Sequence, residues 1–402
     1  MLTNQNTQLW TLSADSSEYE RSKNLLSGRL KNSLNPDAIN AETLAAGLSG
    51  LSVDKRVELI HDGCDIRKAY SKSLPNLAKV RSLDGDIING YNTFNSLVIN
   101  DLDKNVHLLN STPYSTSDPH YNVIAGVGFT HDDIVLGQIS RCDQALKAKF
   151  DDLQVRHLLD RGHDDQAVFE HIDNLNSTFV VRLKANRNSN ESIIDQQGKE
   201  KKVKLVDAQL EVNYEQSLLK FVWKNKLYPQ AQISIKQGQL KLDNKTYQVL
   251  KIQVFDRTKK PIFKDYMLLI TNELCPNFEH CFEIYQAYLR RSKIEGVFKF
   301  LKDNLGWETF RVRDFLVIQN LISLCFFVAG YFYEHQKEMA NDHSDGLNVK
   351  FICSLAKSKG KISKHYYLQG LKIMANYLLF QEAVKEQGFS QETVNELLKQ
   401  VT

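Results

Sequence analysis

A chain of 402 residues, 42% hydrophobic and 25% charged, has room for two or three domains around a real core and is too apolar to stay unfolded. Its net charge of +3 hides an uneven distribution. Arg182 to Asp265 carries 18 Lys and Arg against 9 Asp and Glu, a local +9, while the remainder carries −6, a pairing suited to holding an anionic polymer in one part and gathering carboxylates for metal in another. The six cysteines (Cys64, Cys142, Cys275, Cys281, Cys325 and Cys353) form no C-x-x-C pair, which excludes a zinc ribbon and leaves them as reduced packing residues.

Residues 1–54 read as a polar, helical segment in which Ala and Leu recur from Ala38 to Leu51. The opening MLTNQNTQLW has no secretory leader, and the segment suits a small DNA-end-binding piece or a helical cap on the core. Val57 to His61 (VELIH) is β-prone and is expected to stop at Asp62-Gly63, leaving Asp62 at a strand end, exposed yet rigidly held. Asp65, in the following CDIRK, competes with Asp62 for any catalytic role. Gly90 to Ile99 and Val106 to Ser111 predict an antiparallel hairpin around NDLDKN, with Asp101 and Asp103 as turn formers. Ile134 to Phe150 has a helical period. Val155 to Leu159 then leads into Asp160-Arg161-Gly162, a helix opened by Asp164 and Asp165, and the strand Thr178 to Lys184. This is a strand–helix–strand unit with an acidic residue at the carboxyl end of its first strand, where functional groups collect in α/β sheets.

Residues 186–266 break that rhythm with β-prone runs from VKLV through LEVNY, LLKFVW, AQISI and QLKL to YQVLKIQVF. Met267 to Thr271 returns to a core strand, and Tyr288 to Lys302 is expected to form one helix. On it Tyr288, Arg291, Glu295 and Lys302 fall within roughly a 60° arc, with Ile294, Val297, Phe298 and Leu301 on the packed side. Phe315 to Tyr333 is long enough to span a bilayer, but Gln319, Asn320 and Ser323 interrupt it, so it reads as a buried core helix. A helical tail follows from about Lys364. The expected divisions are residues 1–54, a core in two parts (55–185 and 267–335), the basic β-rich stretch 186–266, and the tail 336–402.

Asp62, Asp160 and Glu295 are thus expected to emerge from two strand ends and a helix. Carboxylates converging from rigid elements can hold two Mg²⁺ ions about 3.5–4 Å apart for in-line displacement at phosphorus. The spacing Tyr-(x2)-Arg-(x3)-Glu-(x6)-Lys, met by Tyr288, Arg291, Glu295 and Lys302, resembles the mark of the insertion-sequence-four family of bacterial DDE transposases. VELIHDG and Asp160-Arg161-Gly162 followed by FVVRLKANR resemble the surroundings of that family's two aspartates. The resemblance implies an α/β, ribonuclease-H-like mixed sheet with flanking helices, interrupted by a β-rich insertion domain. It implies an enzyme that cuts the ends of an insertion sequence and joins them to target DNA. Asp62, Asp160 and Glu295 would then bind two Mg²⁺ ions, with Mn²⁺ able to substitute. Tyr288, Arg291 and Lys302 would contact phosphates, and Lys184 and Arg187 the DNA backbone. Trp223 would hold a flipped base, although LLKFVW equally suits a core position. The implied partner is double-stranded DNA gripped by a homodimer or larger synaptic complex, in the bacterial cytoplasm with the nucleoid and away from membranes. The rivals are a catalytically idle DNA-binding inhibitor of transposition, a ribonuclease-H-like nuclease, and a glycosidase using Asp160 and Glu295. The last leaves the +9 segment idle and explains neither Arg291 nor Lys302.

Overall fold

In a computed structural model, residues 24–27, 34–100, 105–123, 128–184, 192–194, 200–202, 205, 207, 210, 212–223, 226–334, 345–359 and 362–386 are described. Among them, twelve strands form one mixed sheet in the order β2 (Ala78–Arg81), β3 (Ile87–Asn100), β1 (Arg56–Arg67), β5 (Gln154–Leu159), β6 (Thr178–Arg182), β12 (Met267–Thr271), β11 (Lys245–Phe255), β10 (Lys226–Leu242), β7 (Ser192–Ile194) and β8 (Glu200–Lys202), with β4 (Val106–Tyr114) paired to β3 and β9 (Val212–Trp223) to β10. Helices complete a mixed α/β architecture.

The sheet is built on β1 (Arg56–Arg67), whose first residues Val57 to His61 are all buried, as in a strand covered on both faces. β2 (Ala78–Arg81) and β4 (Val106–Tyr114) both pair antiparallel with β3 (Ile87–Asn100), the last as the expected hairpin. Its turn residues 101–104 lie outside the described residues. The expected stop at Asp62-Gly63 does not occur. β3 pairs with β1 without interruption from Val57↔Asn100 to Arg67↔Gly90, so the ladder carries the chain through Gly63 and leaves Asp62 inside the strand. On the other side β1 runs parallel to β5 (Gln154–Leu159), and β5 runs parallel to β6 (Thr178–Arg182).

The β-rich stretch continues the same sheet. It supplies β7 (Ser192–Ile194), β8 (Glu200–Lys202), β9 (Val212–Trp223), β10 (Lys226–Leu242) and β11 (Lys245–Phe255). β11 pairs with β12 (Met267–Thr271), which pairs with β6. LEVNY and LLKFVW merge into β9, and AQISI and QLKL into β10. The polar Lys236 and Gln237 between those last two runs are held by β9 on one side and β11 on the other, so the chain stays in the ladder there instead of turning, and Gln237 donates to the Cys275 carbonyl at 2.8 Å. VKLV falls largely outside the described residues.

α1 (Pro36–Ser49) starts where Asn35 accepts a hydrogen bond from the Ala38 amide and Pro36 presets the first turn. It lies on β4, where Asn40 exchanges two hydrogen bonds with the Ser111 backbone at 2.9 and 3.0 Å. Gly47 allows this approach, because a Cβ there would stand 2.2 Å from the Leu108 carbonyl oxygen. α2 (His131–Lys149) opens with a Thr130/Asp133 capping box and α3 (Gln166–Asn174) with Asp165 as its cap.

The expected single helix from Tyr288 to Lys302 is divided into α4 (Phe278–Arg290) and α5 (Lys293–Asn304). At the junction the amides of Arg291, Ser292, Ile294 and Glu295 bond three residues back, at 3.1 to 3.3 Å, and the Ser292 hydroxyl donates to the Leu289 carbonyl at 2.9 Å. A serine competing for a helix carbonyl tightens the turn and ends the regular α spacing. Tyr288 therefore sits in the last turn of α4 and is buried instead of joining an open polar stripe. α6 (Phe315–Glu334) is the one helix among the described residues long and apolar enough to cross a membrane. It packs as a core helix: Ile318, Phe326, Ala329 and Phe332 are fully buried, and Asn320 donates to the Leu26 and Leu34 carbonyls. α7 (Asp345–Leu355) and α8 (Lys364–Glu386) follow.

Candidate active site

Side chains alternate along β1, so Glu58, Ile60, Asp62 and Cys64 share the face under α4 and α5, while His61 and Asp65 occupy the other. Asp65 points away from those helices, accepting from the Arg81 amide at 3.0 Å and the Asn92 side chain at 3.2 Å. Asp62 faces them. The parallel register places Ile60 opposite Leu158, and two residues further along both strands stand Asp62 and Asp160. Asp160 caps a single 3₁₀ turn, Arg161–His163, and accepts from the Gly162 amide at 2.8 Å and the His163 ring at 3.1 Å.

Arg291, at the break between α4 and α5, closes the arrangement. Its guanidinium donates to Asp62 at 2.7 Å and to Glu295 at 2.6 Å. The break therefore turns one arginine toward both the sheet and the following helix. Two ion-pair systems beneath it hold α4 against the sheet. Arg290 makes a two-pronged contact with Glu58 of β1. Arg156 of β5, only 1% exposed, donates to Glu273 at 2.6 and 2.7 Å and to Glu283 at 3.0 Å.

Burial raises the Asp62 carboxyl from its ordinary 3.8 to about 6; the Asp160 charge adds to the rise, and Arg291 and His163 oppose it. Asp160 is also pushed up by burial, but His163, the Gly162 amide and Arg291 outweigh that and hold it below its ordinary value. The two aspartates thus sit close enough to repel, with Arg291 as the compensating cation. Burial likewise raises the Tyr288 phenol against the pull of Arg291.

A cavity of about 640 Å³ opens beside these groups, lined by Arg182, Trp223, Tyr288, Arg291, Ser292 and Glu295 among others. Trp223, half-buried at the end of β9, packs on the Phe263 ring at 5.0 Å and also lines the cavity. Lys302 stands apart: its ammonium donates to the Asp65 carbonyl at 2.9 Å and pairs with Glu308 at 3.1 Å. Lys184 is exposed beyond the end of β6, and Arg187 lies outside the described residues. The six cysteines are free.

Sequence reasoning passed over the supports of this site. His61 bonds to Ser96 and, at 3.0 Å, to His157; His157 in turn reaches Asp143 at 3.0 Å, all fully buried behind β1. The available signal was a charged or imidazole side chain inside an apolar strand: Glu58 and His61 in VELIH, Arg156 and His157 in VRHLL. Burying such groups is costly unless they are paired, so each announces a partner.

The family model described as a transposase DDE domain matches residues 130–330, half of the chain, a span that holds Asp160, Arg291 and Glu295. No curated protein matches the sequence.

Proposed function

Because the chain belongs to the transposase DDE family, we propose that it is an insertion-sequence-four-type enzyme that cuts the ends of a mobile element and joins them to target DNA. The observation carrying this reading is Arg291, which links Asp62 and Glu295 while Asp160 leaves the adjacent parallel strand. Strand order supports a ribonuclease-H-like core: the antiparallel trio β4-β3-β1 continues into β5 and β6, both parallel to β1. That β7 to β11 all fall within 186–266 supports reading this stretch as a β-rich insertion between two parts of the core.

The residues fit divalent cations in kind. Two of the three carboxylates are neighbours whose mutual repulsion a cation relieves, and the third is tied to them through one guanidinium. Among the described residues, however, no three His, Cys, Asp or Glu side chains gather tightly enough to hold an ion as they stand, since Arg291 engages Glu295. In this reading Asp62, Asp160 and Glu295 hold two Mg²⁺ ions, with Mn²⁺ substituting, once Arg291 turns to a DNA phosphate. Bound there, such ions would supply the charge that activates a water or 3′-hydroxyl and stabilises the leaving oxygen. Arg291 suits a two-pronged phosphate contact, with Tyr288 beside it. Trp223 offers a ring face in the cavity to an unpaired base, Lys302 supplies positive charge at the far end of α5, and Lys184 and Arg187 extend the backbone contacts. The enzyme acts on double-stranded DNA in the cytoplasm as a homodimer or larger synaptic assembly.

The test is Mg²⁺-dependent strand cleavage and joining on DNA carrying the element's ends. Asp160→Asn and Glu295→Gln are expected to abolish both steps and leave DNA binding intact. Near-wild-type turnover in either variant defeats the metal assignment, and wild-type cleavage without joining makes the protein a nuclease.

A further inference from the structure

A second cavity, of about 570 Å³, adjoins the first, and Arg182 lines both. Its wall brings together Arg81 from the end of β2, Arg161 from the turn after Asp160, Arg182 from the end of β6, and Lys184. Among the described residues none of these four side chains forms an ion pair, and the carboxylate lining the cavity, Asp265, pairs with none of them. Four cations from three separate segments repel one another unless an anion lies between them. Beside them Tyr266 is 40% exposed, with the Lys251 ammonium 4.4 Å from the centre of its ring.

We infer that this cavity is a subsite for an unpaired DNA nucleotide. Its phosphate lies among Arg81, Arg161, Arg182 and Lys184, and its base stacks on Tyr266. The inference rests on the reading of the protein as a DNA-processing enzyme and adds a strand path to it. The space admits about one nucleotide and not a duplex roughly 20 Å wide, and an aromatic face is open to a base only once that base is unpaired. Arg182 belongs to both cavities, so one strand continues from Tyr266 past Arg182 to Trp223 and the carboxylates. Two aromatic platforms separated by an arginine form a track for single-stranded DNA, fed by melting the duplex next to the cut.

The experiment compares the full-length protein on a blunt duplex and on the same duplex with a short single-stranded overhang, using fluorescence anisotropy across a salt series without divalent metal. The wild type should prefer the overhang. Tyr266→Ala should remove about tenfold of that preference, while Tyr266→Phe, which keeps the ring, should retain it. Arg81→Ala should flatten the salt dependence of overhang binding by about 0.7, one lost phosphate contact, and leave blunt-duplex binding nearly unchanged. An overhang preference and salt slope that survive both Tyr266→Ala and Arg81→Ala overturn the subsite, and so does an equal loss on both substrates. If the wild type binds the blunt duplex, and cuts a duplex carrying the element's ends once Mg²⁺ is added, while those negative results hold, only the subsite fails. A wild type that binds neither substrate removes the transposase reading along with it.

Discussion

Asp62→Asn should make the metal-free protein more stable at neutral pH while removing its activity. Asp62 is 15% exposed, and its carboxyl titrates near 6 instead of 3.8. An acid whose folded value is raised disfavours folding in its charged form. The sign follows from proton uptake: between about pH 4 and 6 the unfolded chain has lost this proton and the folded chain keeps it, so stability falls as pH rises through that window. Roughly two pH units at about 1.4 kcal/mol each set a ceiling near 3 kcal/mol on what the charged carboxylate costs above pH 6, after the attraction of Arg291 is included. Asparagine carries no charge to desolvate and still offers Arg291 an acceptor. Its advantage should therefore be about 1–3 kcal/mol at neutral pH and vanish below about pH 4. Urea denaturation in a chelating buffer at several pH values measures this directly. Added Mg²⁺ should stabilise the wild type and leave the variant largely unaffected, because a ligand stabilises only the state that binds it. A variant that is less stable than wild type at neutral pH, or one whose stability difference does not change with pH, refutes the reasoning about this carboxylate.

Arg156→Met should cost about 3 kcal/mol in urea unfolding, because it strands the mostly buried Glu273 carboxylate while Glu283 keeps only Arg56, and a loss under 1 kcal/mol would show the network to be dispensable. Gly47→Ala drives a methyl into the Leu108 carbonyl and should cost about 1–3 kcal/mol, visible as a lowered Tm without change in DNA affinity; an unchanged Tm would mean that α1 can lift from β4 freely. Trp223→Ala should weaken binding to DNA with an unpaired base beside the cut by about tenfold while Trp223→Phe keeps most of it, and equal affinity for all three proteins would leave Trp223 a packing residue beside Phe263.

The hairpin of β3 and β4, the β5–α3–β6 unit and the core strand β12 were legible because each is a local pattern: alternation, a turn, a cap. What escaped depended on neighbours distant in sequence. Asp62-Gly63 reads as a strand end in isolation, and it continues as strand because β3 supplies a ladder partner to every residue from Val57 to Arg67. The same holds for Lys236-Gln237 inside β10. The break after Arg290 is local but subtle, since a single serine that bonds back to Leu289 divides a segment whose apolar period never falters.

The same ladder separates Asp62 from Asp65. If β1 ended at His61, as its sequence suggests, both aspartates would sit on a loop and either could reach the helices. Because the strand continues, they lie an odd number of residues apart and must face opposite sides of the sheet. Asp65 is committed to the Arg81 amide and Asn92. Asp62 is left level with Asp160, under the one arginine that the helix break frees to point both ways. A straight helix from Tyr288 to Lys302 would carry Arg291 and Glu295 as an ordinary surface pair one turn apart. The site as it stands therefore needs both departures from the simplest reading, the uninterrupted strand and the interrupted helix. Restoring the helix alone, for instance by Ser292→Ala, is expected to loosen the Arg291–Asp62 contact while leaving Arg291–Glu295 in place. A crystal structure of that variant with both contacts unchanged would show that the junction is held by packing of α4 and α5 and not by the serine hydroxyl.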